Sequence, residues 1–213
     1  CASLATLITS TSARPHDGTI DRVSDFTGAY VGTVLALGAG YEMEAAYFGN
    51  ERVRGSGVYA LRQPLVDLEA ATLTTGMVFL LKRLTGRCRP RFYLDTVCAP
   101  DSLHDAFPSG HTAPLSAMAG ARLLLATRTE GAAEVRWGAF GLTEVMALTT
   151  AVLRVRAGMH SWSDVLGGVA LGHAVGLLVA AAHPMRAVEV RDRAAPASAT
   201  GSGGFELTWS GEF

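Results

Sequence analysis

Cysteine, charge and strand-like alternation are all scarce in this sequence. Three cysteines among 213 residues cannot build a disulfide framework or a four-thiolate metal site. Charged residues make up 17%, and 18 basic against 19 acidic side chains leave a net charge of −1. That balance argues against a surface built to coat nucleic acid, and no nucleic-acid partner is expected. Alternating β-branched runs are rare, which argues against a sheet. No charged stretch leading into an apolar one opens the sequence, so no signal peptide is expected in it. Apolar residues, by contrast, reach 49%, with 24 glycines, enough for a sizeable core of closely packed helices in a chain of one-domain length. The mean hydropathy of +0.25 is high for a soluble protein and modest for one that crosses a membrane several times.

The apolar runs predict an all-α fold, a helical bundle of about five core helices. Residues 1–20 read as a loosely structured lead, 21–184 as the helical domain, and 185–213 as a tail whose last residues, FELTWSGEF, fit a short strand or a docking segment. Helices are expected from Asp21 or Asp25 to Phe48, from Pro64 to Leu84, from Thr112 to Ala126, from Val135 to Val155 and from Ser163 to Ala182. Pro64 is placed at a helix start, where a missing N–H costs nothing. Pro114 confines the start of the third helix to a cap near His111. Residues 86–109 read as irregular.

Val165 to Ala182 is the strongest membrane candidate, at the lower edge of a spanning length. The other long apolar runs carry carboxylates: Glu42 and Glu44, Asp67 and Glu69, and Glu144. These are read as solvated or paired rather than catalytic. Since a bare carboxylate in lipid is expensive, the sequence favours a soluble or peripheral domain of the bacterial periplasm or cell envelope, with an integral membrane protein as the alternative. Cys1 fits either the lipid-bearing cysteine of a lipoprotein or a processed chain. Cys88 and Cys98 flank a short segment that a disulfide would hold, or are unrelated thiols. His173, within an apolar run, reads as a packed or hydrogen-bonded core histidine.

The chemically distinctive residues gather at helix ends. Lys82, Arg89 and Arg154 are cations suited to an anion with several oxygens, arginine offering paired donors and lysine a point charge. Ser109 adds a hydroxyl, Gly110 admits close backbone approach, and the helix that follows them presents its N-terminus to an anion. His160 and Asp164 lie one turn apart if helical, so Asp164 can hold one imidazole nitrogen while the other attacks phosphorus. His111 is placed to give a proton to the leaving oxygen. Neither a metal-ligating pattern nor a nucleotide-binding loop in its proper context is present.

Three motifs now stand in order. Lys82, six residues, then Arg89-Pro90 resembles the first signature of the type 2 phosphatidic acid phosphatase superfamily. Pro108-Ser109-Gly110-His111 matches the second in full. Arg154, five residues, His160, three residues, Asp164 resembles the third, with Leu153 standing where a serine is usual. The motifs span residues 82–164, and the flanking helices extend the likeness to about 60–183.

The resemblance implies a helical enzyme that cleaves phosphate monoesters, or pyrophosphate bonds in some lipids, without a metal or other cofactor. By position, His160 is the nucleophile that forms a phosphohistidine, Asp164 orients it, and His111 protonates the leaving group and later activates water. Lys82, Arg89, Ser109, Gly110 and Arg154 hold the phosphate oxygens. The implied partner is a phosphomonoester, either a small molecule or a phospholipid or isoprenyl phosphate met through a peripheral or lipid-anchored membrane contact. Three alternatives accompany this reading: a lipid pyrophosphate phosphatase within the membrane, a vanadium-dependent haloperoxidase, and an inactive relative kept for anion binding.

Overall fold

Five helices and no strand make up the residues described by the computed structural model, which are 16–25, 57–90, 106–128 and 133–183. Helix α1 covers 18–25, α2 Gly57–Thr85, α3 Thr112–Arg128, α4 Ala133–Arg156 and α5 Trp162–Ala182. The all-α expectation holds. Helix α1 begins before Asp21 because Asp17 caps it: its Oδ1 accepts from the backbone N–H groups of Thr19 at 3.0 Å and Ile20 at 3.1 Å. Its expected run to Phe48 lies outside the described residues, as do most of the expected lead and the whole tail.

Helix α2 starts earlier than predicted. Pro64 lies inside it rather than at its first turn. One ladder hydrogen bond is missing there, yet helical backbone continues on both sides. Helix α3 starts at Thr112, next to the His111 cap position that Pro114 demanded.

Helix α3 is the axis of the bundle, packed against α2, α4 and α5. Buried residues surround it, among them Ala113, Leu115, Ala117, Met118, Ala121 and Leu125, and a helix apolar all round belongs inside. Helix α5 meets it along Gly168, Gly172 and Gly176. A Cβ on Gly172 would run into the carbonyl oxygen of Ala113, and one on Gly176 into that of Ala117. Residues spaced by four share one helix face, so this glycine row lets the two backbones touch.

The outside of the bundle is apolar too. Leu68, Phe79 and Leu80 on α2, Leu142, Val145 and Leu148 on α4, and Leu166 and Leu178 on α5 are all exposed. Gln63–Thr85, Arg136–Arg156 and Trp162–Ala182 are long and apolar enough to cross a membrane, and only 33%, 33% and 39% of these spans is buried within the protein.

Of the carboxylates that weighed against membrane insertion, Glu42 and Glu44 lie outside the described residues, and Asp67, Glu69 and Glu144 are paired. Asp67 is fully buried, and its Oδ2 accepts from Arg122 Nε at 2.9 Å and Nη2 at 2.7 Å. Arg122 Nη1 reaches Thr143 Oγ1 at 3.1 Å. Glu144 meets His173 Nε2 at 2.9 Å, and Glu69 meets His183 Nε2 at 3.4 Å. His173 is thus hydrogen-bonded within the bundle, as its sequence context suggested.

Candidate active site

Helices α2 and α4 end, and α3 and α5 begin, at the same end of the bundle. Lys82 lies in the last turn of α2, and a Cβ built on Gly110 would sit 3.6 Å from its Nζ. The Ser109 N–H donates to the Asp164 carbonyl at 3.0 Å, and the Ala113 N–H to the Ser109 carbonyl at 3.1 Å. Ser109 Oγ lies 3.1 Å from Thr112 Oγ1. The segment that carries Ser109, Gly110 and His111 is thereby tied both to α5 and to the first turn of α3.

Arg154 lies in the last turn of α4. The chain then turns through Gly158, whose φ of 71° is in the left-handed region that glycine adopts without strain. That reversal lets the N–H groups of Met159 and His160 both donate to the Arg154 carbonyl, each at 3.2 Å. The nucleophile candidate and the arginine candidate are therefore joined through one helix end.

His160 is buried, and its Nδ1 lies 2.8 Å from the Ala106 carbonyl oxygen. A carbonyl can only accept, so Nδ1 carries the proton and Nε2 keeps its lone pair. The Asp164 carboxylate is further off, with Oδ2 at 3.8 Å from Nδ1, an electrostatic contact without a hydrogen bond. The reason is local. Ser161 caps α5, so His160 precedes the helix and the four-residue spacing does not stack the pair on one turn. Asp164 Oδ2 instead accepts from the Ser161 N–H at 2.7 Å and completes a capping box. Its Oδ1 is 3.1 Å from Arg87 Nη1, an ion pair whose angles fall outside hydrogen-bond geometry.

Lys82, Arg154 and His160 all lie within electrostatic reach of His111, and Arg89, Arg154 and His160 lie within reach of one another. Arg89 also donates to Met159 Sδ at 3.8 Å. Burial is the main cause that lowers the His111 pKa to about 4. Arg154, His160 and Lys82 push the same way, and Asp25 opposes them. Burial likewise lowers the His160 pKa; Asp164 opposes the shift, while Arg154 and Arg89 add to it. An uncharged imidazole is what a nucleophile at His160 needs, whereas a proton donor at His111 needs a bound anion to raise its pKa first.

All eight predicted site residues thus stand at one end of the bundle. Cys88 is disulfide-bonded; its expected partner, Cys98, lies outside the described residues. Among the described residues, no three His, Cys, Asp or Glu side chains form a metal-holding group.

Sequence reading missed several contributors. Arg87 sits in the spacer of the first signature, where nothing marked it. The Ala106 carbonyl has no side-chain signal at all. Arg154 Nη1 donates to Asp21 Oδ1 at 2.8 Å, Ser24 Oγ at 2.9 Å and Asp25 Oδ1 at 2.9 Å. Asp25 Oδ1 is also 3.2 Å from His111 Nε2. The spacing of Asp21 and Asp25, one turn apart on α1, was the available clue.

Comparison with known families gives one finding. The family model described as the PAP2 superfamily matches residues 64–187, more than half of the chain. No curated protein and no solved structure matches the chain.

Proposed function

Because the chain belongs to the PAP2 superfamily, whose members act on phosphate esters, we propose that it is a metal-independent phosphatase working through a phosphohistidine. The observation that carries this reading is the 2.8 Å contact of His160 Nδ1 with the Ala106 carbonyl, which reserves Nε2 for attack.

In the first half-reaction, Nε2 of His160 bonds to phosphorus as the ester P–O bond breaks. His111, neutral at rest, takes up a proton from solvent as the substrate's phosphate anion binds beside it, and gives that proton to the leaving oxygen. In the second, His111 removes a proton from water, the water oxygen bonds to phosphorus, and the N–P bond breaks. Lys82, Arg89, Arg154, the Ser109 hydroxyl and the Gly110 backbone hold the phosphoryl oxygens as charge builds on them. Asp164 stabilises the imidazolium from 3.8 Å.

The substrate we favour is a lipid phosphate, with the protein embedded in the cell envelope. Three span-length helices with apolar outer faces support that choice. So do the paired carboxylates, which remove much of the cost of placing these helices in lipid. Membrane-expressed protein should then stay in the pellet after alkaline carbonate extraction and dissolve only in detergent.

The deciding experiment is rapid acid-free quenching of purified protein with labelled substrate in EDTA, comparing p-nitrophenyl phosphate with phosphatidic acid. A phosphoenzyme stable to alkali and labile to acid should form, and His160→Ala should form none. Turnover that needs added magnesium or zinc, or equal phosphate release by wild type and His160→Ala, would sink the proposal. Halide oxidation by peroxide with bound vanadate is the outcome that would favour the haloperoxidase alternative.

A further inference from the structure

Asp25 holds the position that an anion's oxygen would take. Its Oδ1 is shared between Arg154 Nη1 at 2.9 Å and His111 Nε2 at 3.2 Å. These are the groups that bind and protonate substrate in the reading above, on which this inference rests. A carboxylate oxygen there imitates one oxygen of a phosphoryl group in charge and in hydrogen-bond demand.

The surrounding contacts identify Asp25 as the member that leaves. A guanidinium Nη carries two N–H groups, yet Arg154 Nη1 faces three acceptors: Asp21, Ser24 and Asp25. Ser24 is fully buried and donates its own hydroxyl proton to the Asp21 carbonyl at 2.7 Å, which leaves its oxygen lone pairs to accept from Arg154. The Asp21 side chain is 18% exposed, while that of Asp25 is 58% exposed. Removing Asp25 from Arg154 leaves Nη1 with two acceptors for its two protons. Its partial exposure also makes rehydration of its carboxylate cheap.

We propose that Asp25 is a displaceable carboxylate plug on the phosphate site, competing with the substrate's phosphoryl oxygens for Arg154 and His111, whereas Asp21 and Ser24 are positioning residues that keep Arg154 aimed. In the empty site the plug supplies a counter-charge to the basic pocket. Substrate binding exchanges one anion for another, so affinity for the phosphoryl group is set lower than the basic residues alone would give. A weaker grip on the phosphate product follows from the same exchange.

The test is titration of the full-length protein in detergent with inorganic phosphate by calorimetry, and with orthovanadate by inhibition of p-nitrophenyl phosphate turnover. Asp25→Asn and Asp25→Ala should each bind both anions about tenfold more tightly than wild type, the scale of one close charge pair removed. Asp25→Glu, which keeps the charge, should stay near wild type. Asp21→Asn should bind more weakly, because Arg154 loses an anchor. Unchanged or weakened anion binding in both Asp25→Asn and Asp25→Ala overturns the plug while leaving the phosphatase reading intact. If wild type neither binds phosphate nor is inhibited by vanadate, the phosphatase reading fails first and the plug fails with it.

Discussion

Arg87 Nη1 lies 3.1 Å from Oδ1 of Asp164, a carboxylate with no exposed surface. The same Nη1 donates to Ser163 Oγ at 2.7 Å. A residue in the spacer of the first motif therefore balances the charge of the last residue of the third. Asp164 sits 3.8 Å from the imidazole it is meant to stabilise, so its charge must be held in place by something else. Arg87 and the Ser161 cap do this from opposite sides.

Replacing Arg87 by glutamine should therefore leave a buried carboxylate poorly compensated. We expect kcat to fall about tenfold, the effect of about 1.4 kcal/mol at the transition state, with KM changed little because Arg87 is not placed on the phosphate. Steady-state kinetics with a soluble monoester check this. A rise in KM at constant kcat would instead make Arg87 a substrate contact.

The depressed His111 pKa has a consequence for stability. The folded protein holds this imidazole neutral down to about pH 4, while an unfolded chain protonates it near the ordinary value of about 6.5. The unfolded state thus binds more protons between those values, and stability falls as pH drops through that window. Burial of His160 acts in the same direction. Thermal midpoints in detergent should be flat above about pH 7 and decline from about pH 6.5 to about pH 4. His111→Asn should show a shallower decline; an identical slope would mean that His111 is not the group responsible.

The seam between α3 and α5 tolerates no side chain at Gly176, where a Cβ would strike the Ala117 carbonyl. Gly176→Ala should force the helices apart at a cost of about 1–3 kcal/mol, the usual scale of overpacking. Gly76 on α2 is the control, since a Cβ there meets nothing within 4 Å. Gly76→Ala should be neutral or stabilising by up to about 1 kcal/mol through helix propensity. Comparable melting temperatures for the two variants would contradict the described packing.

Asp67 and Arg122 form a buried ion pair between α2 and α3. Asp67→Ala should destabilise by about 3–5 kcal/mol because it strands the guanidinium, whereas joint replacement of both by Leu and Met should recover most of the loss. Denaturation of the single and double variants measures the difference. A double variant as unstable as the single one would show that the shape of the pair, and not its charge, matters.

Among the described residues, the all-α class and the reach of α3, α4 and α5 were legible in the sequence because apolar runs, prolines and glycine punctuate them directly. The three motifs marked Lys82, Arg89, Ser109, Gly110, His111, Arg154, His160 and Asp164 as candidates. The start of α2 was misread because a proline at a helix start and a proline inside a helix look alike in a sequence. The bearing of Asp67, Glu69 and Glu144 on membrane insertion was also hidden, since their partners Arg122, His183 and His173 are distant in the chain.

The sequence by itself determined the residue types of the site and the helices that bear them, because both are local patterns. Only the tertiary structure decided which groups face one another: that a backbone carbonyl sets the His160 proton, that Arg87 lies against Asp164, and that α1 sets the Asp25 carboxylate between Arg154 and His111. Such contacts join segments tens of residues apart, and they depend on how helices pack, a property that no short stretch of sequence encodes.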